Sequence, residues 1–347
     1  MDLEYLLDRM PEAWLLTFGG LTVGVLFGAF AQQSRFCLRA AVLEFSRGSP
    51  ADRLPVWLLA FASALVGTQL LIHFGEVQAG EARQLASPQS LSGAVLGGLM
   101  FGAGMIFARG CASRLLVLSA TGNLRALLSG LVFAVVAQAS LRGILRPARE
   151  WLAGLWTTSD IGGNDLTVQF GLTFNLTIAF ACLWLFAGLV FAWRARLKIR
   201  QLTAAAGAGL AIALAWWFTS SMARQAFDPV QVEGVTFTGP SADTLMLILS
   251  PPGDMLGYDI GLVPGVFIGS FVAAFFSREL VLQGFENGSS MTRYLVGATL
   301  MGFGGMLAGG CAVGAGVTGA SVFALTAWIT LSSIWLSAAI TDRFLRF

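Results

Sequence analysis

The chain has 347 residues, of which 56% are hydrophobic and only 12% are charged, and its formal net charge is +2. Its mean hydropathy is +0.75, far above the average of soluble proteins, so the composition excludes a soluble globular protein. The longer polar interruptions, near residues 141–168 and 221–259, are too short to form an independent core. The sequence therefore predicts an all-α integral membrane protein with one transmembrane domain over residues 1–347.

Windows of about 20 mostly apolar residues predict the membrane-spanning helices. The acidic N-terminus, Met1-Asp2-Leu3-Glu4, lacks the basic flank of a signal peptide, so we expect the first window to be retained as a span. The first half of the domain, about 14–140, and the second half, about 260–341, are expected to be linked by spans within about 170–220. In chain order the nine predicted spans lie near 14–34, 55–74, 92–108, 124–140, 170–193, 203–220, 260–277, 294–308 and 322–341.

Basic residues predict the orientation, because Lys and Arg collect on the cytoplasmic side of a membrane. Clusters follow the first and fifth predicted spans, and a third cluster ends the chain. With nine spans, this distribution predicts the N-terminus outside and the C-terminus in the cytoplasm. The three clusters are Arg35, Arg39, Arg47 and Arg53; Arg194, Arg196, Lys198 and Arg200; and Arg343 with Arg346.

Four cysteines occur along the chain, and three of them interrupt apolar runs. Cys37 follows the first span in Ser34-Arg35-Phe36-Cys37-Leu38-Arg39, and Cys111 follows the third in Arg109-Gly110-Cys111-Ala112-Ser113-Arg114. Alone, each is typical of a small buried residue beside basic anchors. Cys182 lies inside a span, where a thiol behaves as a small hydrophobic group.

The surroundings of Cys111 recur around Cys311. Residues 97–120 align without gaps with residues 297–320, and nine of the 24 positions are identical, including a shared Gly-Cys-Ala core. This indicates an internal duplication. The predicted spans entering both segments are short, so we expect broken or re-entrant helices there, which a bilayer tolerates only where protein or a cavity surrounds them. In the predicted topology the two turns come from opposite faces, which gives an hourglass-like arrangement.

A second, weaker match pairs Gly24-x-x-x-Gly28-x-Phe30 with Gly265-x-x-x-Gly269-x-Phe271. Such spacings of small residues let transmembrane helices approach closely. The predicted topology runs these two helices in the same direction and the two Gly-Cys-Ala elements in opposite directions. A simple inverted repeat is therefore not predicted.

Three cysteines at helix breaks predict a substrate pathway, because a break exposes backbone N–H groups and helix ends to whatever occupies a cavity. The dense glycine run at 309–316 suggests a turn whose backbone lines the passage. The candidate pathway residues are Cys37, Cys111 and Cys311, with backbone contributed by Gly110, Gly309 and Gly310, and the candidates for anion attraction are Arg35, Arg109 and Arg114.

Metal, redox and proton-relay chemistry receive little support. The arginines beside the cysteines would repel a metal ion, the sole histidine, His73, lies at a span end, and no Cys-x-x-Cys pair occurs. We therefore expect no metal, no organic cofactor, no nucleic-acid partner and no enzyme activity. The acidic residues also form no paired group deep in an apolar run, so no proton relay is expected. Those considered are Glu44, Asp160, Asp165, Asp254, Asp259 and Glu279.

Taken together, the motifs resemble the YeeE/YedE family of sulfur-compound transporters. The resemblance implies a bacterial inner-membrane permease of hourglass shape, related to members that take up thiosulfate, with Cys37, Cys111 and Cys311 contacting the passing ion. It also implies a cytoplasmic sulfur-carrier protein of the TusA type as a partner. Arg109 and Arg114 depart from the Gly-Gly-Cys-Ala-x-Gly pattern of many relatives. The matching segments are Ser34–Cys37, Gly110–Ala112, Gly253–Met255, Gly269–Ala274 with Ser277–Glu279, and Leu300–Gly304 through Cys311.

The preferred hypothesis is uptake of a small sulfur-containing anion, most readily thiosulfate, through a cysteine-lined central pathway. A rival hypothesis is a membrane sulfurtransferase or thiol relay, in which a cysteine persulfide passes sulfur to a cytoplasmic carrier. Two further hypotheses are transport of a different sulfur or selenium species and a structural role in a larger complex.

Overall fold

The computed structural model describes residues 9–48, 51–249, 256–284 and 288–345. In these ranges the chain is helical, with only isolated β-bridges, which confirms the predicted all-α class. Eight segments there are long and apolar enough to cross a membrane. The family-like motif Gly253–Met255, together with Asp254 and Arg346, lies outside the described residues.

Fifteen α-helices and one π-helix follow each other along the described chain, with short 3-10 turns at Ala79–Glu81 and Thr158–Ile161. The α-helices are α1 Glu12–Ser34, α2 Leu38–Arg47, α3 Arg53–His73, α4 Leu91–Phe107, α5 Ala112–Ala120, α6 Leu124–Leu141, α7 Arg146–Ala153, α8 Leu166–Gln169, α9 Phe174–Arg194, α10 Ile199–Gln225, α11 Thr238–Leu249, α12 Tyr258–Phe276, α13 Gly288–Leu307, α14 Gly319–Ser321 and α15 Leu325–Leu345, and the π-helix is Ala312–Thr318.

Three of the eight candidate spans are broken at a cysteine: 12–47, 91–120 and 290–321. The ninth predicted window, 322–341, coincides with α15, a 21-residue helix that is rich in Ser, Thr and Trp and is not among the eight. The count of nine spans therefore stays a prediction.

Glycines set the closest helix contacts. A Cβ atom on Gly24 of α1 would lie 2.4 Å from the carbonyl oxygen of Leu262, and one on Gly265 of α12 would lie 2.4 Å from that of Leu21. Residue numbers rise together along both helices, so α1 and α12 are parallel. On α4 and α13, Gly97 faces Gly304 and Gly104 faces Gly297, so these helices are antiparallel. Both directions agree with the sequence-based expectation.

Four of these helices end in the same turn. α1, α4, α12 and α13 each finish at a left-handed residue, Arg35, Arg109, Arg278 or Gly309, with φ of +54°, +56°, +54° and +77°. In each turn, the next N–H bonds back to a carbonyl five residues earlier, as in a Schellman motif. α9 ends in the same way at Arg196, so the turn is not specific to the repeated segments. The duplication remains an inference from sequence.

The breaks lie inside the bundle because other helices surround them. α12 packs on α1, α13 and α15 pack on α4, and α3 lies between α9 and α10. Because α4 and α13 are antiparallel and each precedes a Gly-Cys-Ala turn, Cys111 and Cys311 lie toward opposite ends of this helix pair.

Candidate functional site

Each of the three predicted cysteines stands at the N-terminus of a helix. Cys37 precedes α2, Cys111 precedes α5, and Cys311 precedes the π-helix. Each sulfur lies near a backbone N–H of the first turn that follows, that of Ala40, Arg114 or Gly314, and the Gly314 N–H donates to the Cys311 sulfur at 3.4 Å. The exposed N–H groups give helix N-termini a partial positive charge, which favours anions.

The structure brings Cys37 and Cys111 together. Each thiol is the other's strongest electrostatic neighbour, and the Cys111 sulfur also lies 3.4 Å from the Ser113 hydroxyl. Both cysteines are buried. Cys182 is exposed on α9. We refer to the first two residues as the Cys37–Cys111 pair.

Two partly buried arginines face this pair. Arg39 and Arg114 act electrostatically on Cys37, and Arg114 also acts on Cys111. Within the described ranges, Arg39 Nε and Arg114 Nη1 are buried without a hydrogen-bond partner. A buried donor without an acceptor is costly, so these N–H groups suit an anion between them.

The other two candidate arginines are engaged differently. Arg35 forms an ion pair with Glu279 at 3.1 Å and its side chain is half exposed. The Arg109 guanidinium lies 5.8 Å from the centre of the Tyr294 ring, which also receives Arg125 at 4.8 Å. Arg39, two residues after Cys37, was not among the candidates for anion attraction. Its place in the same motif as a candidate cysteine could have indicated it.

Cys311 occupies a separate, tight site. Its sulfur accepts the Gly314 N–H at 3.4 Å and lies near the Phe237 backbone and the Thr236 side chain. A Cβ atom on Gly310 would lie 2.7 Å from the backbone nitrogen of Ala315, so only glycine fits this turn. Gly309 adopts the left-handed conformation, as Arg109 does in the first turn.

Aromatic rings link the surroundings of the two sites. The Phe27 ring centre lies 6.3 Å from that of Phe36, the neighbour of Cys37, and 5.4 Å from that of Phe237, the neighbour of Cys311. All three rings belong to the buried core. The three rings therefore form a continuous buried contact from the neighbour of Cys37 to the neighbour of Cys311.

A group of carboxylates that the sequence analysis missed lies near the Cys311 turn. Arg83 donates to the Gly309 carbonyl at 3.1 Å and lies 3.5 Å from Glu233, which interacts with Asp243 and Asp259. The three acidic residues come from separate segments, so no local pattern in the sequence indicates their proximity.

Comparisons with known proteins cover nearly the whole chain. A family model described as sulphur transport matches residues 33–340, a range that contains all three cysteines. The chain is similar to a thiosulfate transporter named TsuA from Escherichia coli strain K12, with 25% identity over 337 residues and 91% of each protein covered. It is also similar to a thiosulfate transporter named TsuA from Spirochaeta thermophila, with 27% identity over 333 residues, 89% of this chain and 93% of the relative.

Proposed function

This chain belongs to the sulphur transport family, and on that premise we propose that it takes up a small sulfur-containing anion, thiosulfate first, across the bacterial inner membrane. Two relatives that align with about nine-tenths of the chain are named thiosulfate transporters. The proposed pathway passes Cys37, Cys111 and Cys311 and involves transport without chemical conversion of the anion.

The observation that carries the proposal is the Cys37–Cys111 pair itself. Two thiols, two helix N-termini and the unpartnered N–H groups of Arg39 and Arg114 converge in one buried place. A thiol is a weak donor, so it suits the soft terminal sulfur of thiosulfate, whereas the guanidinium and backbone N–H groups suit the oxygens. A transport site must bind strongly enough to admit the ion and weakly enough to release it.

The arginines indicate the orientation of the proposed pathway in the membrane. Because basic residues collect on the cytoplasmic side, we place the Cys37–Cys111 pair toward the cytoplasm and Cys311 toward the outside. Thiosulfate would then meet Cys311 first. An inside-negative potential opposes uptake of this dianion by about 4.6 kcal/mol per 100 mV, twice the value for one charge.

The test is uptake of labelled thiosulfate by cells without other sulfur permeases. We expect the Cys111→Ala variant to lose about tenfold or more, because a hydrogen bond to a charged group contributes about 1.5–3 kcal/mol. The matched control is Cys182→Ala, which removes an exposed thiol and should leave uptake intact. Equal loss in both variants would indicate damaged packing, and no uptake by well-expressed wild type would exclude this anion.

Direct contact between the two thiols also suits the thiol relay, in which a persulfide on one cysteine is passed on. Mass spectrometry after thiosulfate exposure separates the two functions. A covalent sulfur adduct on Cys37 or Cys111 is required only by the relay, and the TusA-type carrier would then be its acceptor. We expect unmodified thiols.

A further inference from the structure

Three carboxylates lie within electrostatic range of one another at the end of the protein that bears Cys311. Glu233 precedes α11, Asp243 lies within α11, and Asp259 lies in the first turn of α12. The Asp259 carboxylate is beside Gly239, at the start of α11. Glu233 acts electrostatically on Asp259, and Asp243 acts on both. We call Glu233, Asp243 and Asp259 the carboxylate cluster.

Two guanidinium groups face the three carboxylates. Arg83 acts on all of them, and its closest contact is 3.5 Å to Glu233 Oε2. Arg142 approaches Asp243 Oδ1 at 3.7 Å. Both contacts are longer than a hydrogen bond. Full ionisation of the cluster would therefore leave more negative than positive charge around the buried Glu233.

Several polar atoms of this region have no hydrogen-bond partner within the described chain. Among them are one oxygen of each carboxylate and the Tyr258 hydroxyl. Tyr258 is only 5% exposed and interacts with Glu233 and Asp259. A proton turns a carboxylate, which only accepts, into a group that also donates. Protons are therefore the ligand that would satisfy these neighbouring acceptors.

The electrostatic surroundings favour protonation. Burial raises the pKa of Glu233. The positive charge of Arg83 partly offsets this rise, and the negative charge of Asp243 adds to it. Burial also raises the pKa of Asp243, against Arg142 and Arg83. Adjacent carboxylates that cannot all ionise commonly share protons. The charged and titratable groups that face Glu233 are Arg83, Asp243, Tyr258 and Asp259.

The cluster is connected to the Cys311 site. The Thr219 hydroxyl bonds to the backbone carbonyl and N–H of Glu233, at 2.8 and 3.2 Å, and holds the segment that continues to Thr236 beside Cys311. Arg83 joins Glu233 to the Gly309 turn. An anion at Cys311 would be repelled by ionised carboxylates and tolerated by protonated ones. By linkage, each ligand must then strengthen binding of the other.

We propose that the carboxylate cluster binds protons together with the anion at Cys311 and that the protein is a proton–anion symporter. Protons bind from the outer side, move inward with the anion and are released into the cytoplasm, so the proton gradient drives uptake. This proposal rests on the proposed function, because it assigns the driving force of the same transport.

The experiment uses the full-length protein in liposomes with the membrane potential clamped at zero. Labelled thiosulfate is supplied outside, with or without an imposed acid-outside pH gradient of one unit. We expect accumulation above the outside concentration, by up to about tenfold for each proton carried, since one unit is a tenfold proton ratio. Exchange of labelled for unlabelled thiosulfate, which needs no net proton movement, is measured on the same vesicles.

The decisive variants are Glu233→Gln and Asp259→Asn, which remove a titratable proton at nearly constant size. We expect both to keep exchange and to lose accumulation driven by the pH gradient. Retained exchange also shows that the variant is folded. The matched control is Asp165→Asn, which changes a carboxylate that caps α8 and which should keep both activities, since Asn is also a good N-cap.

The outcomes distinguish the two proposals. Absence of exchange in wild type overturns the proposed function and the symport with it. Exchange without any response to the pH gradient overturns proton coupling alone. Accumulation that follows a sodium gradient, or that persists in both cluster variants, also overturns it. Accumulation that follows the pH gradient in wild type and the control, but in neither cluster variant, supports it.

Discussion

Arg114 is the residue whose charge is most closely tied to the Cys37–Cys111 pair. Its charge acts on both cysteines, and its backbone N–H lies near the Cys111 sulfur. Arg35, by contrast, is paired with Glu279. The nearest compensation for an anion at the pair is therefore expected from Arg114 and Arg39.

We expect Arg114→Gln to lower thiosulfate uptake about tenfold, a loss of about 1.4 kcal/mol, because the anion loses a buried positive charge. Arg114→Lys should be milder, since lysine keeps the charge but lacks the planar fork of donors. Concentration-dependent uptake by proteoliposomes measures both variants. The matched control is Arg146→Gln, which changes an exposed arginine paired with Glu150. Wild-type uptake by Arg114→Gln would show that the anion does not approach this residue.

At the scale of elements, the glycine contact between α1 and α12 holds the break at Cys37 in place. The two backbones touch along Gly20, Gly24 and Gly28 of α1, and α1 ends directly before the Cys37 turn. Van der Waals packing of small residues is a main source of helix association in membranes. An added methyl group here must therefore push the helices apart.

Gly24→Ala is expected to destabilise the protein by about 1–3 kcal/mol, the usual cost of overpacking. The control is Gly130→Ala on α6, where an added Cβ meets nothing within 4 Å and the substitution should be neutral or favourable by up to about 1 kcal/mol through helix propensity. Thermal unfolding in detergent measures both variants. A Gly24→Ala protein as stable as Gly130→Ala would contradict the close contact.

At the scale of the whole molecule, the aromatic rings between the two cysteine sites close the proposed pathway. Phe27 lies between Phe36 and Phe237 and is fully buried. Apolar constrictions close a channel by excluding water. On the proposed pathway, the anion would pass from one cysteine site to the other only when these rings move apart.

Phe27→Ala should leave a partly open constriction. We expect thiosulfate to leak from loaded liposomes several times faster than through wild type, with weaker selectivity against chloride. The control is Phe18→Ala on the same helix, because Phe18 is 46% exposed and faces away from the core. Wild-type leak rates in Phe27→Ala would place the closure elsewhere.

Much of the architecture was already determined by the sequence. Apolar windows, glycine spacings and the repeated Gly-Cys-Ala core depend on local residue patterns, because a membrane helix must satisfy its own backbone within one segment. The helix class and three helix breaks at cysteines follow from these patterns. The glycine turn at Cys311 is likewise a local matter of backbone geometry, whereas its neighbours Thr236 and Phe237 come from a distant segment.

Only the tertiary structure decided which distant residues meet. Cys37 and Cys111 are far apart in the chain, and their contact depends on how α1, α4 and α5 pack. The same is true of Arg39 and of the carboxylate cluster, whose members belong to three segments. Electrostatic and hydrogen-bonding interactions act over a few ångströms in space, irrespective of sequence separation. The sequence therefore determined the elements and their breaks, and the packing determined the sites.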